Sequence, residues 1–194
     1  MTLRPATFDP MQKPLIEPWT IDDFLAWERA QAERYEFVDG IVRMMVGGTL
    51  AHARIKGNVY ASLREQLEGG RCEVFVDGPK VVTAAASMYP DAVVTCAADL
   101  AQDADAVPEP ILILEVLSRS TEHFDRGGKW RAYQELASLR YFILVAQHER
   151  RVEAYRRTRS GWALTVYVRP QDRVALPGLR ASLSLQVIYR DALP

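Results

Sequence analysis

The chain has 194 residues, 48% of them hydrophobic and 25% charged, with a formal net charge of −1. That length and apolar content suffice for one domain with a full core, and the charge balance excludes a strongly basic surface that coats nucleic acid, though not a local basic patch. No apolar run approaches the roughly 20 residues that span a bilayer, and the opening stretch MTLRPATFDPMQKP lacks the apolar core of a signal peptide, so a soluble, cytoplasmic protein with no membrane partner is expected. Cys72 and Cys96 have no close spacing and no neighbouring Cys or His. A zinc site and a disulfide framework are therefore not implied, and buried free thiols are expected.

Residues 1–18 carry four prolines and little periodicity, which predicts an extended or poorly ordered arm ahead of a domain over 19–194. WTIDDFLAWERAQAERY reads as a helix capped by Thr20, with Asp23 three residues on and an apolar face of Ile21, Phe24, Leu25 and Trp27. In YEFVDGIVRMMV two β-prone runs flank Asp39-Gly40, a hairpin signal. A second helix follows in AHARIKGNVYASLREQLEGG, with Ile55, Val59, Ser62, Leu63 and Leu67 inward and Gly69-Gly70 as its stop.

CEVFVDGPKVVT holds two strand-like runs around a turn, and MYPDAVVTC gives another strand that opens at Pro90. Residues 97–110 are acidic, alanine-rich and bounded by proline, as in a loop. ILILEVLS is apolar on both alternating sets of positions and reads as a central, doubly buried strand. A helix is expected over Asp125–Leu136, then strands in RYFILVAQ, RRVEAYRR and GWALTVYV, and a final helix in LSLQVIYRDAL. This order describes an α/β or α+β domain with a mixed sheet.

The chemistry turns on acidic residues placed where strands bury them. Glu36 sits between Tyr35 and Phe37, Asp91 stands directly before AVV, and Glu115 interrupts ILILEVLS. An unpaired buried carboxylate is costly. Carboxylates that converge from separate strand ends suit a hard divalent cation, Mg²⁺ or Mn²⁺, which would assist phosphodiester cleavage. Lys129, fourteen residues after Glu115, could fold back over the strand end to stabilise developing charge. Asp125 could pair with it at i,i+4 or simply cap the helix. Plainer readings stand beside these: Asp91 as a turn residue after Pro90, Glu115 as the partner of a buried arginine, and Glu36 and Lys129 as residues facing water. His52 could be a cap-region residue or a group behind the site, Tyr133 a core residue beneath it, and RRVEAYRRTR a solvated strand face or a run that tracks a phosphate backbone.

YEFVDGIVRMM, His52, YPDAVV, PILILEVLSRST with Asp125, Lys129 and Tyr133 beyond it, LRYFILV and RRVEAYRR together resemble the Uma-two family of candidate restriction endonucleases, within the PD-(D/E)XK nuclease superfamily. The resemblance spans about residues 20–190. It implies a restriction-endonuclease-like mixed β-sheet core flanked by helices and a divalent-metal site that cuts DNA. Asp91 takes the place of the PD aspartate, Glu115 that of the acidic residue of (D/E)XK, and Glu36 that of the early acidic motif. Asp91 and Glu115 are then the expected metal ligands. The motif lysine would fall at position 117, where Leu117 stands, which points to Lys129 as its replacement. SRS at 118–120, with Arg119, and Gly47-Gly48 also depart from the pattern. A nuclease-fold binding or interaction module without turnover is the alternative, a nuclease of RNA or of branched DNA is a third reading, and a homodimer would place two sites on one duplex.

Overall fold

The computed structural model describes residues 19–119 and 121–193; the expected N-terminal arm lies outside them. Helix α1 (Ile21–Glu28) is followed by hairpin strands β1 (Tyr35–Val38) and β2 (Ile41–Met44) and by the long helix α2 (Leu50–Leu67). Strands β3 (Glu73–Val76), β4 (Val81–Val82), β5 (Ser87–Met88), β6 (Ala92–Thr95) and β7 (Pro110–Leu117) come next. The chain then turns through α3 (Glu122–Phe124), a π-helical turn at Asp125–Lys129 and α4 (Trp130–Gln134). Strands β8 (Tyr141–Ala146), β9 (Val152–Thr158), β10 (Gly161–Tyr167), β11 (Arg173–Leu176) and β12 (Ala181–Ser184) precede the short helix α5 (Leu185–Ile188).

Local chemistry sets the first elements. Thr20 and Asp23 form a reciprocal capping box at the start of α1. Asp39 and Gly40 both take positive φ, 53° and 75°, the backbone a two-residue hairpin turn requires. Ile55, Val59, Leu63 and Leu67 bury one stripe of α2, while Ser62 stays partly exposed at its margin.

The main sheet has six strands in the order β10-β9-β8-β7-β6-β3, with β7 and β8 parallel and the other pairs antiparallel. The parallel pair needs a crossover, and the α3–α4 segment supplies it. A second sheet, β2-β1-β5-β4, and a β11–β12 pair complete the strands. β7 lies between β6 and β8, and its alternation serves two cores. Leu112, Leu114 and Val116 pack with Ile55, Val59 and Leu63 of α2 and with Leu185 and Ile188. Ile113 and Leu117 pack with Val38, Met88, Tyr133 and Phe142 on the other side. Each such side chain fully buried contributes about 1.5–3 kcal/mol, and the double burial explains the unbroken apolar run.

Three expectations are corrected. Cys72 and Cys96 are disulfide-bonded, not free. Glu73 pairs with Thr95 in β3–β6, so the two cysteines are the next cross-strand neighbours, with Cα atoms 4.0 Å apart. The tail helix shrinks to four residues because Ala181–Ser184 pairs with β11, and alternation buries Ala181 and Leu183 there. The helix expected from Asp125 begins at Glu122 and passes through the π turn. Among the described residues no helix is long and apolar enough to cross a membrane.

Candidate active site

Glu115 points to the same side of β7 as Ile113 and Leu117, toward the core under the π turn. β6 pairs Ala92 with Leu114, so the next register position sets Asp91 across from Glu115. Residues directly opposite on antiparallel strands have Cβ atoms about 4.5–5.5 Å apart. Glu36 enters from β1. Lys129 closes the π turn, and such turns are frequent at functional sites. Gly128 lets the turn approach the hairpin: a Cβ there would stand 3.1 Å from Val38 Cγ1 and 3.3 Å from Asp39 Oδ2. Glu36, Asp91, Glu115, Asp125 and Lys129 all line one open cleft of about 820 Å³.

The buried Lys129 ammonium lies 2.8 Å from Glu36 Oε1, 3.2 Å from Glu115 Oε1 and 3.4 Å from Asp125 Oδ1. Burial works to neutralise this lysine, but the pull of Glu115, Glu36 and Asp125 overrides it and holds the pKa well above the ordinary value. Burial pushes the Glu115 carboxyl well up, against the opposing effect of Lys129. It raises Asp125 in the same way. Tyr133, buried and held in its protonated form, donates its hydroxyl to Glu115 Oε1 at 2.9 Å. The Tyr89 backbone N–H donates to Glu36 Oε1 at 2.9 Å.

Asp91 is held differently. Its Oδ2 accepts the Val116 N–H at 2.7 Å, which ties it to β7 one residue past Glu115. Its Oδ1 lies 2.7 Å from His52 Nε2, at the start of α2, and 3.9 Å from Lys56 Nζ. Glu36, Glu115 and Asp125 therefore share the buried ammonium of Lys129, while Asp91 has His52 and, farther off, Lys56. That excess of negative charge, on oxygen donors, fits a hard cation. Among the described residues no three or more His, Cys, Asp or Glu side chains group to hold a metal ion. Asp91 and Glu115 alone would offer two carboxylates, and magnesium usually takes one or two and keeps several waters.

Several contacts escape sequence reading. The Asp91–His52 pair spans 39 residues and the Thr49 hydroxyl's hydrogen bond to Gln147 spans 98; no periodicity signals either. Tyr133, which reads as core, also reaches Glu115. Its spacing of four from Lys129 puts both on one helical face and is the one available hint. Glu115 meets a lysine and a tyrosine rather than an arginine.

A mixed sheet with carboxylates gathered at the ends of its central strands and helices on its faces is a nuclease-like fold. A crystal structure of a "putative nuclease belonging to DUF820" from Anabaena variabilis ATCC 29413 shares it, with a TM-score of 0.74 over 89% of this chain and 98% of that one at 16% identity. The sequence matches the Uma2 family, described as "Putative restriction endonuclease", over residues 21–187, and the chain belongs to that family. Two relatives come from Synechocystis sp. The protein slr1290 is 32% identical over 171 residues, 87% of this chain and 90% of that one. The protein sll1609 is 30% identical over 151 residues, 75% and 85% of the two chains.

Proposed function

We propose that this chain is a metal-dependent endonuclease that hydrolyses DNA phosphodiester bonds in the cytoplasm. The observation that carries the reading is the meeting of Asp91 and Glu115 across β6 and β7, with the Lys129 ammonium 3.2 Å from Glu115. Family membership supports it. Asp91 and Glu115 would hold Mg²⁺ or Mn²⁺, which when bound polarises the phosphate and acidifies a water.

The chain's own groups do the rest. The Val116 N–H and His52 fix the Asp91 carboxylate. Tyr133 fixes Glu115, and Glu36 draws Lys129 toward the cleft. Lys129 keeps its proton and presents positive charge where a phosphoryl oxygen gains negative charge. Its place on a helix in place of position 117 leaves the charge at the strand end while the apolar Leu117 seals the core.

The test is nicking of supercoiled plasmid by the full chain with Mg²⁺ or Mn²⁺. Glu115→Gln and Asp91→Asn, with folding checked by circular dichroism, should each lower the rate by about 100-fold or more. Equal nicking by wild type and Glu115→Gln would reject the site. A second reading, a nuclease-fold binding module without turnover, draws on the engagement of Lys129 by three carboxylates. It predicts DNA affinity without cleavage under either metal. The Cys72–Cys96 disulfide is the feature least suited to a reducing cytoplasm, so thiol alkylation of the protein taken from cells tests the proposed location.

A further inference from the structure

The cleft has one wall unlike the rest. Among the described residues, Met44, Val46 and Leu50 are 54, 67 and 75% exposed. Met44 and Val46 line the cleft, and Leu50 follows Thr49, which also lines it. Large apolar side chains clustered this openly mark a binding surface rather than scattered exposure. Four cations line the cleft with them; Lys56 and Lys129 are paired with carboxylates, and Arg43 and Arg119 stand nearer its rim. Arg43 lies opposite Glu36 in the hairpin with its guanidinium 4.5 Å from the Phe124 ring centroid, and Arg119 is exposed beyond the end of β7.

The charge balance decides what such a wall meets. Duplex binding draws most of its affinity from cations that track two phosphate backbones. This chain has a net charge of −1, and its cleft is rich in carboxylates. Lys56 and Lys129 are already offset by carboxylates, so attraction for phosphates beyond the reacting one falls mainly to Arg43 and Arg119. Single-stranded nucleic acid offers apolar base faces as well as phosphates, and covering those faces with apolar side chains removes apolar area from water whatever the sequence. Apolar side chains of this kind, Met and Leu included, also act as wedges that part stacked bases.

We propose that the Met44–Leu50 ledge binds unstacked bases, so that the cleft takes a single-stranded or splayed nucleic-acid segment, with Arg43 and Arg119 meeting its phosphates. The substrate class rests on the nuclease reading above; the base-binding ledge itself is read by affinity and needs no turnover.

The experiment is fluorescence anisotropy of the full chain, at one salt concentration with Ca²⁺, against a labelled single-stranded DNA oligonucleotide and a blunt duplex of the same sequence. The single strand should bind about tenfold or more tighter, and the double variant Val46→Ser, Leu50→Ser should lose about tenfold on the single strand, with an unchanged thermal midpoint because both side chains are exposed. Duplex binding as tight as single-strand binding, or wild-type affinity in the double variant, overturns the proposal. So does a wild-type dimer in sedimentation that the double variant dissociates, since the ledge would then be an interface between copies. Glu115-dependent plasmid nicking with no effect of the ledge variants would leave the nuclease reading standing and reject the ledge alone. Ledge-dependent single-strand binding without Glu115-dependent cleavage of any probe would do the reverse.

Discussion

The two faces of β7 solve opposite problems with one strand. Leu112, Leu114 and Val116 face α2 and pack in an apolar core with Ile55, Val59 and Leu63. Ile113, Glu115 and Leu117 face the π turn, where the apolar pattern admits one carboxylate and the chain builds a lysine, a tyrosine and two further carboxylates around it. The first face is stabilised chiefly by apolar burial and close packing. The second holds charge only because its partners are fixed from three other elements. Stability and chemistry are thus separated by a single residue step, since alternate side chains leave opposite sides of the sheet.

The largest effect should come from breaking the charged face. Lys129→Met strands Glu36, Glu115 and Asp125 around an apolar group and should cost about 3–5 kcal/mol at neutral pH in urea unfolding. Burial already raises the Glu115 and Asp125 carboxyls in the folded protein. A raised carboxyl favours the folded state while protonated and loses that benefit as pH rises through its folded value. The variant's deficit should therefore shrink on acidification; an equal deficit at both pH values would mean that the carboxylates are not the cause.

On the dry face, Leu114→Ala should cost about 2–5 kcal/mol through the cavity it leaves. Unlike Lys129→Met, its deficit should not depend on pH, which sharpens the contrast. A smaller effect belongs to Glu153, which Arg126 holds bidentate at 2.6 and 3.0 Å and Arg151 contacts at 2.8 Å. Hydrogen bonding to Arg126 is the main cause that lowers its pKa. Its contribution is present above the ordinary carboxylate range and lost as pH falls through the lower folded value, the reverse of Glu115. Glu153→Gln should flatten the acid limb of the stability profile. Smallest of all, Thr20→Ala removes the α1 cap, away from both faces, and should cost about 1 kcal/mol in thermal or urea unfolding.

What could be read in the sequence follows the range of the forces involved. The hairpin at Asp39-Gly40, the inner stripe of α2 and the doubly buried β7 are local patterns, and they could be placed from residues alone. The oddity of Glu115 was equally visible, because a carboxylate in ILILEVLS breaks a pattern. Its surroundings were less so. Lys129 had to be inferred against the missing lysine at Leu117, and nothing in DRGGK announces a π turn. The Cys72–Cys96 bond depends on β3 lying beside β6, a pairing of distant segments. Lys80, bonded to Glu28 at 2.8 Å, and Tyr89, bonded to the same carboxylate at 2.7 Å, form a buried network across more than fifty residues. The two-residue strands β4 and β5 are too short for any alternation to register.

The proposed endonuclease activity requires that Asp91 and Glu115 form one cation site near the end of β7. The direct measurement is a crystal of the full chain soaked in Mn²⁺ and recorded for anomalous scattering. A shared site gives a peak bound by the carboxylates of both Asp91 and Glu115, lost in Glu115→Gln. Folded protein with the two carboxylates as described and no metal peak between them would contradict it.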